Sequence, residues 1–145
     1  MQKQVYLQKL SPDALMPTYA RQGDAGADLY STEDVTLWPK EHRLVGTGIA
    51  IEIPMGFVGL VHPRSGMAAK GGVTVLNAPG TIDAGYRGEI KVILINHNAY
   101  KPYEIKKGDK IAQLVIQEVI EAQFVETDQL SDSERSSGGF GSTGI

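Results

Sequence analysis

A chain of 145 residues is long enough to form one domain with its own hydrophobic core, and a net charge of −3 gives it no general attraction to nucleic acid. The absence of cysteine excludes disulfides, zinc–thiolate centres and thiol nucleophiles. No apolar run approaches the roughly 18 residues of a membrane span, and the N-terminus lacks a signal or transit pattern. We therefore expect a cytoplasmic protein that binds neither nucleic acid nor a membrane.

Residues 42–54 carry the clearest secondary-structure pattern, because every second residue from Val45 to Ile53 is apolar, except Thr47. A repeat of two residues is that of a β-strand with one buried face, and it differs from the period of a helix. One side carries Val45, Thr47, Ile49, Ile51 and Ile53, and the other carries Leu44, Gly46, Gly48, Ala50 and Glu52.

Other segments rich in β-branched and aromatic residues predict further strands, and short turns containing Gly, Pro, Asn or Asp separate them. These segments are residues 5–10, 35–38, 57–61, 73–76, 89–96 and 111–125. Many short strands with such turns favour an all-β fold, a sandwich or jelly roll. The one helix that we predict covers residues 65–70, with Ser65 capping its start and Gly71–Gly72 ending it.

The glycine-rich segment 80–89 predicts a tight hairpin, with Asp83 in its bend and Tyr86 three residues later. A carboxylate held in a loop can orient a water molecule and take its proton. The same residues also fit a purely structural pair, in which Asp83 forms an Asx turn and Tyr86 packs on the sheet. Both interpretations are open at this point.

Other polar residues lie where predicted strands begin or end. Arg64 and Ser65 bring a guanidinium and a hydroxyl to the place where a strand gives way to the helix, and both groups bind phosphate oxygens well. Asp28 and Gln113, taken alone, are ordinary residues of strand edges. The three histidines have no metal-ligand spacing. Because the sequence offers no thiol nucleophile and no evident metal site, direct attack of water on the phosphorus of a bound phosphate is the simplest reaction.

Residues 131–145 differ in composition from the rest of the chain, because ten of the fifteen are Gly, Ser or Thr. Such a segment cannot bury enough apolar surface to order itself. It nevertheless contains Arg135, which can bind phosphate, and Phe140, which can stack on a base. We interpret it as a mobile arm that closes over a phosphorylated, base-containing ligand, beside a jelly-roll domain of residues 1–130. The alternative is a frayed, solubilising terminus.

Five segments, taken in order, resemble the five motifs of the trimeric deoxyuridine triphosphate nucleotidohydrolases, the dUTPases. They read AGADLYS (25–31), PRSG (63–66), NAPGTIDAGYRGEIKV (77–92), GDKIAQLVI (108–116) and RSSGGFGSTG (135–144). The resemblance implies a jelly roll assembled as a homotrimer, with active sites at subunit junctions that the arm of a neighbouring subunit closes. It also implies hydrolysis of dUTP to dUMP and pyrophosphate by water attack on the α-phosphate, which keeps uracil out of DNA and supplies dUMP for thymidylate synthesis.

The resemblance further implies a role for each matching residue. Asp83 would activate the attacking water, Tyr86 would pack under the deoxyribose and exclude a 2′-hydroxyl, and Lys91 is a further candidate on the substrate side. Magnesium (Mg²⁺) would bind through triphosphate oxygens and waters, with Asp28 linked to it through water. The remaining substrate-binding residues would be Asn77, Gly80, Thr81 and Ile82 at the uracil, Arg64, Ser65, Gly66 and Gln113 at the α and β phosphates, and Arg135, Phe140, Gly141, Ser142 and Thr143 in the arm.

Three other functions remain as alternatives. A related dCTP deaminase would share the jelly roll, but the full arm with Phe140 and the TIDAGYRGE segment argue against it. A non-catalytic nucleotide sensor or regulatory protein could use the same fold, although Asp83 and Arg135 are intact. A structural β-sandwich without any ligand would leave the five ordered motifs unexplained.

Overall fold

Eleven short strands and one helix follow one another along residues 1–144, the part of the chain that this computed structural model describes. The helix has seven residues. No helix within residues 1–144 has the length and apolar character needed to cross a membrane. The elements are β1 (Tyr6–Lys9), β2 (Ala27–Tyr30), β3 (Val35–Leu37), β4 (His42–Gly46), β5 (Ile49–Glu52), β6 (Phe57–His62), α1 (Ser65–Gly71), β7 (Val73–Val75), β8 (Gly80–Ile82), β9 (Lys91–Asn96), β10 (Tyr103–Ile105) and β11 (Lys110–Glu118).

The strands form two larger sheets and two strand pairs, arranged as a jelly roll. Their orders are β2-β11-β6-β8, β4-β9-β7, β1-β5 and β10-β3, and all the pairings are antiparallel. The predicted all-β fold with a single short helix is confirmed. Among the strands of residues 1–144, β8 lies at a sheet edge and pairs only with β6, so one row of its N–H and C=O groups has no strand partner there.

The core takes side chains from both larger sheets. Val45, Thr47, Ile49, Ile51 and Ile53, one side of the alternating segment 42–54, are all buried and form its inward face, and Ala50 of the other side is buried as well. Burial of a large aliphatic side chain stabilises a fold by about 1.5–3 kcal/mol. The largest fully buried apolar side chains are Leu29, Leu37, Ile49, Leu94, Ile105 and Ile111.

The single strand predicted over residues 42–54 is wrong in one respect, because it divides at Thr47 and Gly48 into β4 and β5. Gly48 has a φ of +70°, which residues with a side chain rarely adopt. At the same break, the Thr47 hydroxyl donates a hydrogen bond to the carbonyl oxygen of Ile90 at 2.5 Å. The two strands consequently pair with different partners, β4 with β9 and β5 with β1.

Strand β11 ends at Glu118, so the prediction of a strand to residue 125 is wrong. Its neighbour β6 begins at Phe57, directly opposite Glu118, and no strand continues the ladder beyond that point. Val119 still donates a backbone hydrogen bond to Gly56 at 2.9 Å, but residues 120–144 form none with residues 1–119. Strand β10, which the sequence pattern does not predict, has three residues.

Candidate functional site

A cleft of about 300 Å³ opens between β8, the loop of residues 83–90 and β9. We call it the Asp83 cleft. It brings together the residues of segment 77–92 that the resemblance assigned to the base and the sugar, and Lys91 as well, but not Phe140 of the arm. These predicted residues are Asn77, Gly80, Thr81, Ile82, Asp83, Tyr86 and Lys91. The rest of the lining is mainly apolar and comprises Leu44, Val61, Val75, Glu89, Ile90, Val92 and Ile93.

The Asp83 carboxylate is exposed on this cleft and forms no ion pair or hydrogen bond with any atom of residues 1–144. The Asx turn considered from the sequence is therefore absent from this part of the chain, because such a turn requires the carboxylate to accept a nearby backbone N–H. Both carboxylate oxygens are free to bind water. That is the arrangement a general base needs before its substrate arrives.

The loop after Asp83 fixes the position of the Tyr86 ring. The Tyr86 amide donates to the Asp83 carbonyl oxygen at 3.0 Å, which closes a turn. At the far end of the side chain, the Tyr86 hydroxyl donates to the carbonyl oxygen of Glu89 at 2.9 Å. Arg87 closes the same loop by donating to the Ala84 carbonyl oxygen at 2.7 Å. The ring is thus held at both ends on the wall of the cleft.

The segment predicted as a hairpin is a connection between two sheets, so that prediction is wrong. Strand β8, before the loop, pairs with β6, whereas β9, after it, pairs with β4 and β7. The chain crosses over because Ile82 and Ile90 are both buried in the core, and the Ile90 amide donates to Ile49 in a third strand at 2.9 Å. The crossing is what creates the cleft, since it separates β8 from β9.

Two predicted residues, Asp28 and Arg64, meet at a second place together with Lys110; the Asp28 side chain is only 13% exposed. The Lys110 ammonium lies 3.0 Å from one of its oxygens, and the Arg64 Nε lies 3.8 Å from the other. Arg64 also donates to the Lys110 carbonyl oxygen at 3.2 Å. We call these three residues the Arg64 cluster. Two cations share one anion, so these three side chains together carry a net positive charge. Arg64 and Lys110 line a cavity of about 340 Å³, which Asp109 also lines and Ser65, Gly66 and Gln113 do not.

Gln113 lies next to this cluster and is half-buried. It is paired across the sheet with Asp28 on one side and His62 on the other. Its amide nitrogen donates to the carbonyl oxygen of Pro63 at 3.0 Å. Gly26 makes room for this side chain, because a Cβ at that position would lie 2.2 Å from the Gln113 amide oxygen. The side chain is therefore directed toward the loop of Arg64 rather than into open solvent.

Ser65 and Gly66 are exposed in the first turn of α1. The prediction that Ser65 caps the helix is wrong, since Arg64 occupies the N-cap position and no side chain caps the first turn. The predicted end is confirmed, because Gly72 adopts the left-handed conformation with a φ of 67°. Ser65 therefore presents its hydroxyl on the same exposed turn as the Gly66 backbone.

The Asp83 cleft and the Arg64 cluster lie on opposite sides of strand β6. Ile82 pairs with Gly59 and Gln113 pairs with His62, three residues further along the same strand. A strand rises about 3.3 Å per residue and neighbouring strands lie about 4.8 Å apart. The Cα atoms of Ile82 and Gln113, three residues and two strand spacings apart, are therefore about 14 Å from each other. Asp83 follows Ile82 and lies further from Gln113 still. Within one subunit, the backbone of β6 thus lies between the predicted catalytic carboxylate and Gln113.

The predicted arm is joined to neither group. Within residues 135–144 the hydrogen bonds are local, such as the one that the Arg135 Nε donates to the Gly138 carbonyl oxygen at 2.8 Å. Phe140 is fully exposed, and Gly141, Ser142 and Thr143 are exposed as well. Ile145, the last residue of the predicted arm, lies outside the described residues.

Two residues at these sites were not singled out from the sequence. Lys110 completes the Arg64 cluster, and the one sequence feature that could have indicated it is its place in the segment GDKIAQLVI. Glu89 accepts a hydrogen bond from the Gly48 amide at 3.2 Å and thereby ties the cleft loop to the break between β4 and β5. No local pattern indicates that second contact, because it depends on how the two segments pack together.

Comparison with known proteins identifies the family to which these sites belong. The dUTPase family model matches residues 13–144. The deoxyuridine 5′-triphosphate nucleotidohydrolase of Thermobifida fusca is 59% identical over 140 residues, covering 97% of this chain and 78% of that protein. The protein of the same name from Nocardia farcinica is 58% identical over 138 residues, covering 95% of this chain and 84% of that protein.

Solved structures agree with the sequence comparison. A mutant dUTPase of Staphylococcus bacteriophage 80alpha with dUpNHpp superposes with a TM-score of 0.93 at 32% identity, covering 99% of this chain and 100% of that one. A mutant dUTPase from phage phi11 of S. aureus, whose structure concerns the coordination of a structural Mg(II) ion, gives a TM-score of 0.81 at 30% identity. It covers 88% of this chain and 98% of that one. The chain belongs to the dUTPase family.

Proposed function

We propose that this protein hydrolyses dUTP to dUMP and pyrophosphate, and in doing so keeps uracil out of DNA and supplies dUMP for thymidylate synthesis. The observation that carries the proposal is the Asp83 carboxylate, which has no partner among residues 1–144 and lies in a cleft that also contains Asn77, Tyr86 and the edge of β8. The family to which the chain belongs, and relatives at 58–59% identity named for this reaction, support the same substrate.

The Asp83 cleft has the features needed to hold deoxyuridine. The free edge of β8 offers backbone N–H and C=O groups to the polar edge of a uracil ring, and Asn77 adds an amide. Apolar side chains line the remainder of the cleft and suit the flat faces of the base. The Tyr86 ring, held at both ends, would lie under the deoxyribose and leave no space for a 2′-hydroxyl.

Asp83 would act as the general base. Its carboxylate binds a water molecule and accepts a proton from it as the water oxygen bonds to the α-phosphorus. The bond from that phosphorus to the bridging oxygen breaks, and pyrophosphate leaves with the electron pair of that bond. dUMP and pyrophosphate are then the two products, and the proton on Asp83 returns to solvent.

The Arg64 cluster would hold the phosphates. Its net positive charge attracts the triphosphate, and the Arg64 guanidinium can bind two phosphate oxygens at once. Ser65, Gly66 and Gln113 would add a hydroxyl, a backbone amide and a side-chain amide to the same phosphates. These donors would stabilise the negative charge that develops during displacement at the α-phosphorus.

The residues present fit a magnesium ion that arrives with the triphosphate. Within residues 1–144 no group of three or more His, Cys, Asp or Glu side chains is placed to hold a metal. Asp28 already faces two cations, so its contact with such an ion would pass through a water molecule. The metal would supply charge neutralisation at the phosphate oxygens, while Asp28 keeps Arg64 and Lys110 close to them.

We propose that the active site is shared within a homotrimer. The separation of about 14 Å across β6 favours a site in which Asp83 and the Arg64 cluster come from different subunits. Residues 120–130 also expose large apolar side chains, including Ile120, Phe124 and Leu130, which need a partner surface. The arm of residues 131–145 would then close a neighbour's site, with Arg135, Ser142 and Thr143 on the outer phosphates and Phe140 on the uracil.

The experiment that tests the reaction is pyrophosphate release with Mg²⁺, measured in parallel on dUTP, dCTP, dTTP and UTP, with ammonia monitored for dCTP. We expect rapid turnover of dUTP alone, because the cleft selects both base and sugar. Binding of dUTP without any hydrolysis would contradict the proposal and favour a nucleotide sensor. Ammonia from dCTP would instead identify a deaminase.

A further inference from the structure

Gly88 lies directly against the ring of Tyr86. A Cβ built on Gly88 would stand 2.5 Å from the Tyr86 hydroxyl oxygen, 2.7 Å from Cζ and 3.1 Å from Cε2. The first two distances are far shorter than the 3.5–4.0 Å at which non-bonded heavy atoms attract. The observed place of the ring therefore requires that residue 88 have no side chain.

The backbone does not by itself require glycine at this position. Gly88 has no positive φ, so it does not lie in the left-handed region that favours glycine. Gly85, in the same loop, has no positive φ either, and a Cβ there would meet nothing within 4 Å. A Cβ at Gly88 would contact Tyr86, whereas a Cβ at Gly85 would not. Alanine substitutions at the two glycines are therefore a matched test and control.

A methyl group at residue 88 would displace the ring rather than the fold. Tyr86 is about half exposed, at 47%, so its ring can move toward solvent by breaking one hydrogen bond, the one to Glu89. No core side chain is among the three atoms nearest to the added Cβ, which all belong to Tyr86. The first atoms that the added methyl group meets are thus those of the Tyr86 ring, on the wall of the Asp83 cleft.

We propose that Gly88 is a specificity-determining residue, which positions Tyr86 so that the site accepts deoxyribose and rejects ribose. The inference rests on the proposed function, in which the Tyr86 ring contacts the sugar. Gly88 itself touches no substrate and acts only through the ring. The 2′-hydroxyl is excluded because the ring cannot approach or recede while its edge rests on Gly88 and its hydroxyl is bound to Glu89.

The test compares Gly88→Ala with Gly85→Ala, using kcat and KM for dUTP and for UTP. A displacement of the ring by about 1 Å should lower the ratio of kcat/KM for dUTP to that for UTP by about ten- to a hundredfold in Gly88→Ala. The loss should come mainly from a higher KM for dUTP, since Asp83 is unchanged. Gly85→Ala should keep the ratio within about twofold of the unaltered protein. A ratio in Gly88→Ala equal to that of Gly85→Ala would overturn the inference.

A double-mutant cycle shows whether Gly88 acts through Tyr86. In a Tyr86→Ala background the added methyl has no ring to displace, so Gly88→Ala should cause no further loss of dUTP kcat/KM. An undiminished further loss would contradict the proposal. If Gly88→Ala does not fold, Tyr86→Ala should restore folding for the same reason, and a defect that persists in the double variant would equally contradict it.

A crystal structure of ligand-free Gly88→Ala separates this inference from the proposed function. The Tyr86 ring should be displaced by about 1 Å or more, with its hydroxyl no longer bound to Glu89. An unmoved ring refutes the inference even if the unaltered protein hydrolyses dUTP. Failure of the unaltered protein to hydrolyse dUTP refutes the proposed function on its own.

Discussion

Replacing Asp83 by Asn should reduce kcat for dUTP by several orders of magnitude, with a general base contributing ~10²–10⁴-fold, while nucleotide affinity changes little. The amide has nearly the shape of the carboxylate and can still orient a water molecule, but it cannot take the proton. The Asp83 carboxylate makes no ion pair or hydrogen bond within residues 1–144, so the substitution removes no contact of the fold described there.

Single-turnover kinetics with dUTP and equilibrium binding of dUpNHpp would measure the two quantities separately. Asp13→Asn is a suitable control, because it makes the same chemical change at an exposed carboxylate that pairs with Lys107, outside both predicted groups. Turnover close to normal in Asp83→Asn would remove Asp83 from its assigned role. Equal loss of binding and turnover would indicate that Asp83 holds the substrate instead of activating water.

Removal of residues 131–145 should leave a folded homotrimer that hydrolyses dUTP at least about a hundredfold more slowly, since charge-assisted contacts to phosphate and base stacking are lost together. Residues 120–144 form no hydrogen bond with residues 1–119, and Phe140 is fully exposed, so the body of the subunit does not depend on the arm. The arm would order only when a ligand supplies its contacts, which is the behaviour expected of its composition.

The measurements for the truncated chain are steady-state kinetics, the thermal unfolding temperature and the mass in solution. An unfolding temperature and mass equal to those of the full chain would show that any loss of activity comes from the site. The single substitution Phe140→Ala is the matched control and should cause a smaller loss than the truncation, mainly in KM. Full activity without residues 131–145 would show that the arm is a solubilising terminus.

The inward face of the strands could be predicted from the sequence, whereas strand partners could not. Alternation from Val45 to Ile53 identifies buried residues because only one face of the segment meets the core. The break at Gly48 and the crossing from β8 to β9 depend on contacts with Ile90 and Ile49, which lie far away in the sequence. A glycine-rich turn looks the same whether it closes a hairpin or connects two sheets.

The candidate site shows the same division. The third of the five ordered segments, residues 77–92, indicated the residues of the Asp83 cleft, and the structure does bring those residues into one cavity. The ion pairs of Asp28 with Arg64 and Lys110 join three separate segments, so no spacing along the chain predicts them. The separation of the two groups by β6 also requires the pairing of three strands to be known.

The most direct test of a shared active site mixes two inactive variants. Asp83→Asn and the chain lacking residues 131–145 would be unfolded together and refolded together, so that mixed homotrimers form. If Asp83 and the arm reach a given site from different subunits, random mixing should give about a quarter of the sites both an intact Asp83 and an intact arm. Activity should then return to roughly a quarter of that of the unaltered protein refolded in the same way.

The two variants refolded separately and then combined provide the control, and they should stay inactive unless subunits exchange. Recovery in the co-refolded sample alone is the result expected for a site assembled across subunits. Co-refolded mixed homotrimers that remain as inactive as either variant would contradict it, because an active site contained in one subunit cannot be restored by its neighbours.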